Sequence, residues 1–171
     1  ISLLLLTLDR YQMTKYCLAN LLSRTGFTDF ELLILDNGSK DLRTVDLTTE
    51  DSFPAVQSGL LIKNESNIGI AAGYNELLRK AKGEYICFLP NDIFVFDNWL
   101  ADLLHYNNEI DKAGLTTLHC EVDKGTYSPM LNVRDEFTSV WKPTQNITRG
   151  ISLISRIALE DVGAFDETLG I

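Results

Sequence analysis

Three apolar runs constrain this chain more than any other feature: "SLLLLT" from Ser2, "ELLILD" from Glu31 and "EYICFL" from Glu84. Each is continuous rather than alternating, which is the pattern of a strand buried on both faces. Such strands belong in parallel sheets covered by helices on either side. The intervening segments supply those helices. In "YQMTKYCLANLLSR", Met13, Cys17, Leu18, Leu21 and Leu22 fall on one helical face. In "NIGIAAGYNELLRKAKG", Ile70, Tyr74, Leu77, Leu78 and Ala81 repeat at helix spacing, with Gly83 as the expected stop. "DNWLADLLHYNNE" turns Trp99, Leu100, Leu103 and Leu104 inward, with Asp97 as the expected cap. "GLLIKNES" adds a strand around Leu60 to Lys63.

Strand and helix alternating at this pace predict an α/β fold, a three-layer sandwich with a mainly parallel central sheet. After Ala113 the rhythm weakens. "GLTTLHCEV" and "GISLIS" read as strands and "RIALEDVG" as a short helix, while Lys124 to Thr148 reads as a polar excursion over the face of the sheet. A chain of 171 residues suits a single domain.

Composition removes several classes of function. The net charge is -9 and no basic patch offsets it, which argues against a nucleic-acid partner. An acidic protein that handles an anionic substrate usually recruits a cation. The opening run Leu3 to Leu6 is far too short to span a bilayer, so no transmembrane segment is expected. Cys17, Cys87 and Cys120 match no zinc spacing and read as core thiols in a reducing compartment. His105 and His119 read as structural. No dinucleotide fingerprint follows the first strand, no Walker lysine follows a glycine loop, and no nucleophile elbow is present.

In open parallel sheets, ligands bind at the carboxyl ends of the strands. The polar residues of this chain gather there: Thr7 and Asp9 after the first run, Asp36-Asn37-Gly38-Ser39 after the second, Asn67 and Gly69 after the third, Asn91 and Asp92 after the fourth. Asp36 either forms a side-chain turn or accepts hydrogen bonds from a base or ribose. Gly69 either serves the backbone of a loop-to-helix junction or lies against a ligand. Asn75, if buried, requires partners, because an unsatisfied amide costs about 1–3 kcal/mol. Asp92 either caps the next turn or holds a hard divalent ion. Mg2+ and Mn2+ are commonly held by one or two carboxylates together with substrate phosphates.

Taken in order, "DNGSKD", "NIGIAAGYN", "GEYICFLPND" and "VGAFDE" make the chain similar to the family-two nucleotide-sugar glycosyltransferases of the type A fold, in their rhamnosyltransferase-like branch. That resemblance covers essentially the whole chain. It implies a Rossmann-like nucleotide-binding fold, with a nucleotide-sugar-binding half to about residue 112 and a partial acceptor-side half over 113–171. The implied reaction is inverting transfer from a nucleoside-diphosphate sugar to a saccharide or lipid-linked hydroxyl acceptor, with Mn2+ or Mg2+ as cofactor. The expected setting is polysaccharide or glycoconjugate synthesis in the cytoplasm, including the inner face of a membrane.

Residue by residue, the resemblance places Thr7, Asp9, Asp36, Asn37, Gly38, Asn67, Gly69, Asn75 and Asn91 around the nucleotide and Asp92 on the metal. It places Asp166 and Glu167 at the acceptor side. Trp141 is added there from the polar excursion, where Tyr127 is a further candidate for stacking on a sugar, as is Trp99 in the helix before it. Three features depart from the family pattern. Asp9 stands where an aromatic is common, Pro90 stands at the first acidic position of the metal motif, and the family's acidic pair after Phe-Asp-Glu falls beyond Ile171. The catalytic base is expected in that pair, so the 171 residues alone are expected to transfer weakly or not at all. Two other readings stay open: a non-catalytic nucleotide-sugar-binding or interaction domain of the same fold, and a sugar nucleotidyltransferase. The second normally needs a glycine-rich loop after the first strand, which "TLDRYQMTK" does not provide.

Overall fold

The computed structural model describes residues 1–26, 29–41, 43, 59–109, 114–118 and 150–169. Trp141, Tyr127, His119, Cys120 and the expected excursion from Lys124 to Thr148 lie outside these residues. The described elements are β1 (Ser2–Thr7), α1 (Tyr11–Arg24), β2 (Glu31–Asp36), β3 (Gly59–Lys63), α2 (Ile70–Leu78), β4 (Tyr85–Leu89), α3 (Trp99–Glu109), β5 (Leu115–Thr117), β6 (Ser152–Ser155) and α4 (Arg156–Val162). A short 3-10 turn follows at Glu167–Leu169.

Six strands form one sheet in the order β3-β2-β1-β4-β6-β5. The pairs β1–β2, β1–β4 and β2–β3 are parallel. The β4–β6 and β5–β6 pairs are antiparallel. The expected mainly parallel sheet is therefore present. A run of apolar residues carries no mark of strand direction, so the reversal at β6 was not legible beforehand.

Alternate residues of β1 feed two separate cores. Leu3 and Leu5 join Leu32, Ile34, Cys87 and Leu89 with α1 residues Cys17, Leu18 and Leu21 and α3 residues Trp99, Leu100 and Leu103. On the other face, Leu4, Leu33, Leu35, Ile86 and Phe88 pack with Leu77 of α2, and Ala158 and Leu159 of α4 lie against them. Helices thus cover both faces, giving the three layers expected. Burying one such leucine stabilises the fold by roughly 1.5–3 kcal/mol. This explains why "SLLLLT" has no polar residue between its ends.

Several local expectations need correction. The strand expected around Leu60 to Lys63 is present as β3, but among the described strands it lies at the edge of the sheet and is largely exposed, unlike the buried β1, β2 and β4. α2 stops at Leu78, well before Gly83. Gly83 has a different role: a Cβ there would lie 2.6 Å from the Ser2 amide nitrogen and 2.7 Å from the Ile1 carbonyl carbon. Ile70, placed on the inner face from its spacing, is 48% exposed because it opens the first turn of α2. Asp97 does not cap α3. Its carboxylate pairs with Arg24 at 2.9 Å, and Asn98, with φ 64, leads into the helix. Trp99 is 3% exposed and its indole donates to Thr25 at 3.2 Å, so it is core and not a platform for a sugar.

At the amino end of the sheet, Glu31 joins three segments. Its Oε1 accepts from the Ser2 hydroxyl and the Lys82 amide, each at 2.6 Å, and the Gly83 amide donates to Ser2 Oγ at 2.8 Å. Burial opposes the charged form, but the hydrogen bonds from Ser2 and the 82–83 amides outweigh it and hold the carboxyl below the usual range. A lowered carboxyl stabilises the fold above its unfolded pKa and loses that contribution as pH falls through the folded one. Glu31→Gln should therefore melt below wild type at pH 7, and the gap between the two should narrow progressively as pH falls below about 4. Parallel curves at both pH values would contradict this.

Candidate functional site

The loops at the carboxyl ends of β1, β2 and β4 are stitched together by side chains. The chain leaves β1 through Asp9 and Arg10, both with φ 54, a left-handed pair that only outside support makes affordable for non-glycine residues. That support comes from the β2 loop. The Asp9 amide donates to Ser39 Oγ at 2.6 Å, and the Lys40 amide donates to Asp9 Oδ1 at 2.9 Å. The Asp9 side chain remains exposed. Tyr11, the nearest aromatic to the position where the family carries a ring, is buried, with Arg43 5.1 Å and Lys15 5.9 Å from its centroid. It does not restore an exposed ring.

The β2 loop is bound just as firmly to the segment before α2. Asn37 donates through Nδ2 to Asn67 Oδ1 at 2.8 Å and to the Gly69 carbonyl at 3.2 Å. Its Oδ1 accepts from the Ile68 amide at 3.1 Å and from Asn64 at 3.4 Å. An amide side chain has four such places, and all four are used. Gly38, with φ 88, lies beneath the same segment: an added Cβ would meet the Ser66 carbonyl carbon at 2.5 Å. Asp36 is 0% exposed, with Oδ1 accepting from the Ser39 amide at 2.9 Å and Oδ2 3.8 Å from Lys63 Nζ. Of the two readings of Asp36, the side-chain turn is the one displayed here.

Asn91 closes the gap between β4 and β1. Its Nδ2 donates to Thr7 Oγ1 at 3.1 Å and to Thr14 Oγ1 at 3.0 Å, while the two hydroxyls lie 2.9 Å apart. Thr7 and Thr14 are both fully buried. Thr14 had drawn no attention in the sequence. The signal was there, because Thr14, Cys17, Leu18 and Leu21 share one helical stripe and only Thr14 is polar. Next to this network the Cys17 thiol donates to the Pro90 carbonyl at 3.6 Å. Burial, with the nearby Asp92 charge adding to it, pushes that thiol up to about 12, so it stays protonated.

Asp92 follows immediately, exposed, and no described residue gives it a hydrogen bond or an ion pair. Among the described residues no three His, Cys, Asp or Glu side chains cluster as a metal cage. A single unpartnered carboxylate fits a hard cation that draws its remaining ligands from phosphate and water. Asn67 is also exposed, with Oδ1 taken by Gly69 and Asn37 and its amino group without a described partner. The expected residues therefore divide. Thr7, Asp36, Asn37 and Asn91 are consumed in holding the loops, whereas Asp9, Asn67 and Asp92 stand open.

On the segment after α4, Asp166 is exposed and turns its carboxylate onto Thr168, accepting from the amide at 2.9 Å and the hydroxyl at 2.6 Å. Those bonds lower its pKa. Glu167 and Phe165 are tied to Asn75, whose three hydrogen bonds answer the requirement that its burial imposed. Among the described residues no helix is long and apolar enough to cross a membrane.

A mainly parallel sheet with its polar loops collected at one end, helices on both faces and a lone carboxylate after β4 is an open α/β fold of the kind that binds ligands at its strand ends. The family described as "Glycosyl transferase family 2" matches residues 2–163, and the chain belongs to that family. YfnE, an uncharacterized glycosyltransferase of Bacillus subtilis (strain 168), is 32% identical over 83 residues, which are 47% of this chain and 20% of YfnE. The mannosyltransferase PcManGT of Pyrobaculum calidifontis, solved with GDP-Man and Mn2+, superposes with a TM-score of 0.74 at 17% identity over 97% of this chain and 47% of its own. S. aureus TarS 1-349 in complex with UDP gives 0.73 at 20% identity over 99% of this chain and 51% of its own. These likenesses show the fold, which is that of the type A glycosyltransferases. The chain spans a fifth of YfnE and about half of the two solved chains.

Two substitutions test how the site is held together. Gly38→Ala should cost at least about 2 kcal/mol in chemical denaturation, combining left-handed strain with a backbone clash. Gly26→Ala, where φ is 66 but nothing lies within 4 Å, should cost about 1 kcal/mol. Equal losses would show that the Ser66 contact is unimportant. Thr14→Val keeps the shape and removes the oxygen shared by Asn91 and Thr7. It should lower stability by about 1–2 kcal/mol while Thr14→Ser stays near wild type.

Proposed function

We propose that this chain forms the donor-binding part of an inverting glycosyltransferase. It would move a sugar from a nucleoside-diphosphate sugar to a hydroxyl of a saccharide or lipid-linked acceptor. The observation that carries the reading is the open carboxylate of Asp92 at the end of β4, held in place by the buried Asn91–Thr7–Thr14 network, in a chain of this family. Two structural neighbours, one solved with GDP-Man and Mn2+ and one with UDP, support the same reading.

In this proposal the nucleotide lies across the loops after β1 and β2. Asp9 and Asn67 reach it through side chains, Gly69 lets the backbone come close, and Gly38 seats the β2 loop beneath the Ser66–Asn67 backbone. Thr7, Asp36, Asn37 and Asn91 act by fixing those loops. Asp92 would hold Mn2+ or Mg2+, which when bound supplies positive charge to the donor diphosphate. The first turn of α2 has no acidic residue and no side-chain cap, so its amides add a further favourable field for an anion. The acceptor oxygen attacks the anomeric carbon as the bond to the diphosphate oxygen breaks, and the hydroxyl proton passes to a carboxylate. The segment carrying Asp166 and Glu167 lies on the acceptor side, with Trp141 assigned there as well. Production of a polysaccharide or glycoconjugate, and a cytoplasmic setting at a membrane's inner face, complete the proposal.

Titration calorimetry with UDP, GDP and dTDP, with and without Mn2+, tests this. At least one nucleotide should bind, about tenfold or more tightly with Mn2+. Asp92→Ala should remove the Mn2+-dependent gain and leave the thermal unfolding curve in place. No binding in any combination would point to an interaction domain, and turnover of an NTP with a sugar phosphate would point to a nucleotidyltransferase.

A further inference from the structure

Asn75 lies within α2, but its side chain is committed to a segment 90 residues further along the chain. Its Oδ1 accepts from the Phe165 amide at 2.9 Å, and its Nδ2 donates to the Phe165 carbonyl at 2.9 Å. The amide of Asn75 thus pairs with both backbone groups of Phe165 much as a neighbouring strand residue would. The second Nδ2 hydrogen goes to Glu167 Oε1 at 2.8 Å. With 5% exposure, Asn75 has little surface left to offer a nucleotide.

The Phe165 ring strengthens the same attachment. It meets Phe88 of β4 edge-on at 5.2 Å and lies beside Tyr74 at 5.8 Å. Tyr74 contacts Phe88 edge-on at 5.2 Å and donates its hydroxyl to the Leu89 carbonyl at 3.1 Å. Phe165 is therefore bound through its backbone to α2 and through its ring to Phe88 of β4, four residues before Asp92. Glu167 is exposed apart from the bond to Asn75, and its other oxygen takes no hydrogen bond from a described residue.

We propose that Asn75 is a positioning residue that seats the 163–167 segment and sets the Glu167 carboxylate, and that it does not contact the donor. The clamp depends only on the bonds above. The placing of Glu167 beside an acceptor hydroxyl rests on the transferase reading. The proposal also explains why an amide is needed here. Aspartate would accept from Phe165 but would face its carbonyl and the Glu167 carboxylate with no hydrogen to give.

Amide hydrogen exchange over residues 163–169, measured on Asn75→Asp and on Asn75→Asp with Glu167→Gln, tests the clamp, with nucleotide titration on the same proteins. Asn75→Asp should exchange about tenfold faster or more across the segment. Adding Glu167→Gln returns a donor to the pair and should bring exchange back to within about threefold of wild type. Nucleotide affinity should follow wild type throughout. Unchanged exchange in Asn75→Asp, no rescue in the double variant, or a loss of nucleotide affinity matching that of Asp92→Ala would each overturn the proposal. A wild-type chain that binds none of the three nucleotides overturns the acceptor-side role of Glu167, while the exchange data decide the clamp separately.

Discussion

The pairing of β1 with β2 on one side and β4 on the other is the constraint from which the site follows. β1 registers Thr7 against Asp36 and Leu5 against Leu89. This brings the ends of β1 and β2 level and ends β4 two residues earlier, so that Asn91 comes beside Thr7 and the loops meet. The reversal of chain order at β1 opens the crevice where parallel sheets place ligands. Leucines at successive positions fill both cores, and the register is fixed by the buried polar ends of β1, because a shift by one residue would move Ser2 away from Glu31 and Thr7 away from Asn91.

A second layer of control is polar. Hydrogen bonds from Asn37, Asn91 and Asn75 join segments that lie far apart in sequence and belong to different loops. Each amide is worth little on its own, about 1 kcal/mol per bond, yet each would leave buried groups unpaired if removed. Specifying the loops in this way leaves Asp92 without a described partner, and Asp9 and Asn67 exposed with only one side-chain oxygen engaged. That division between holding groups and open groups is the main lesson of the site.

Much of this was legible in the sequence. Continuous apolar runs announced doubly covered strands, and the order of strand-end motifs announced the family. The buried amide of Asn75 announced a partner without saying which. The remainder was not local. At Asp36 and Asn37, residue type and position carry no record of the hydrogen bonds each makes within the loops. Thr14 was missed because a threonine in an apolar stripe matters only once Asn91, 77 residues away, is seen to donate to it. Trp99 carried two readings, inward-facing core and sugar platform, because an aromatic at helix spacing reads alike whether it faces a core or a ligand, and its burial selects the first. The antiparallel β6 depends on a connection that passes through residues outside those described.

The central claim is that the carboxyl ends of β1, β2 and β4 form one nucleotide site with its metal at Asp92. The most direct measurement is Mn2+-induced line broadening in backbone amide spectra recorded with a saturating nucleoside diphosphate. Broadening should concentrate at residues 91–94 and extend to 37–39 and 67–70, sparing Glu31, Lys82 and Gly83 at the opposite end of the sheet. Broadening centred elsewhere, or retained in full by Asp92→Ala, would contradict the account.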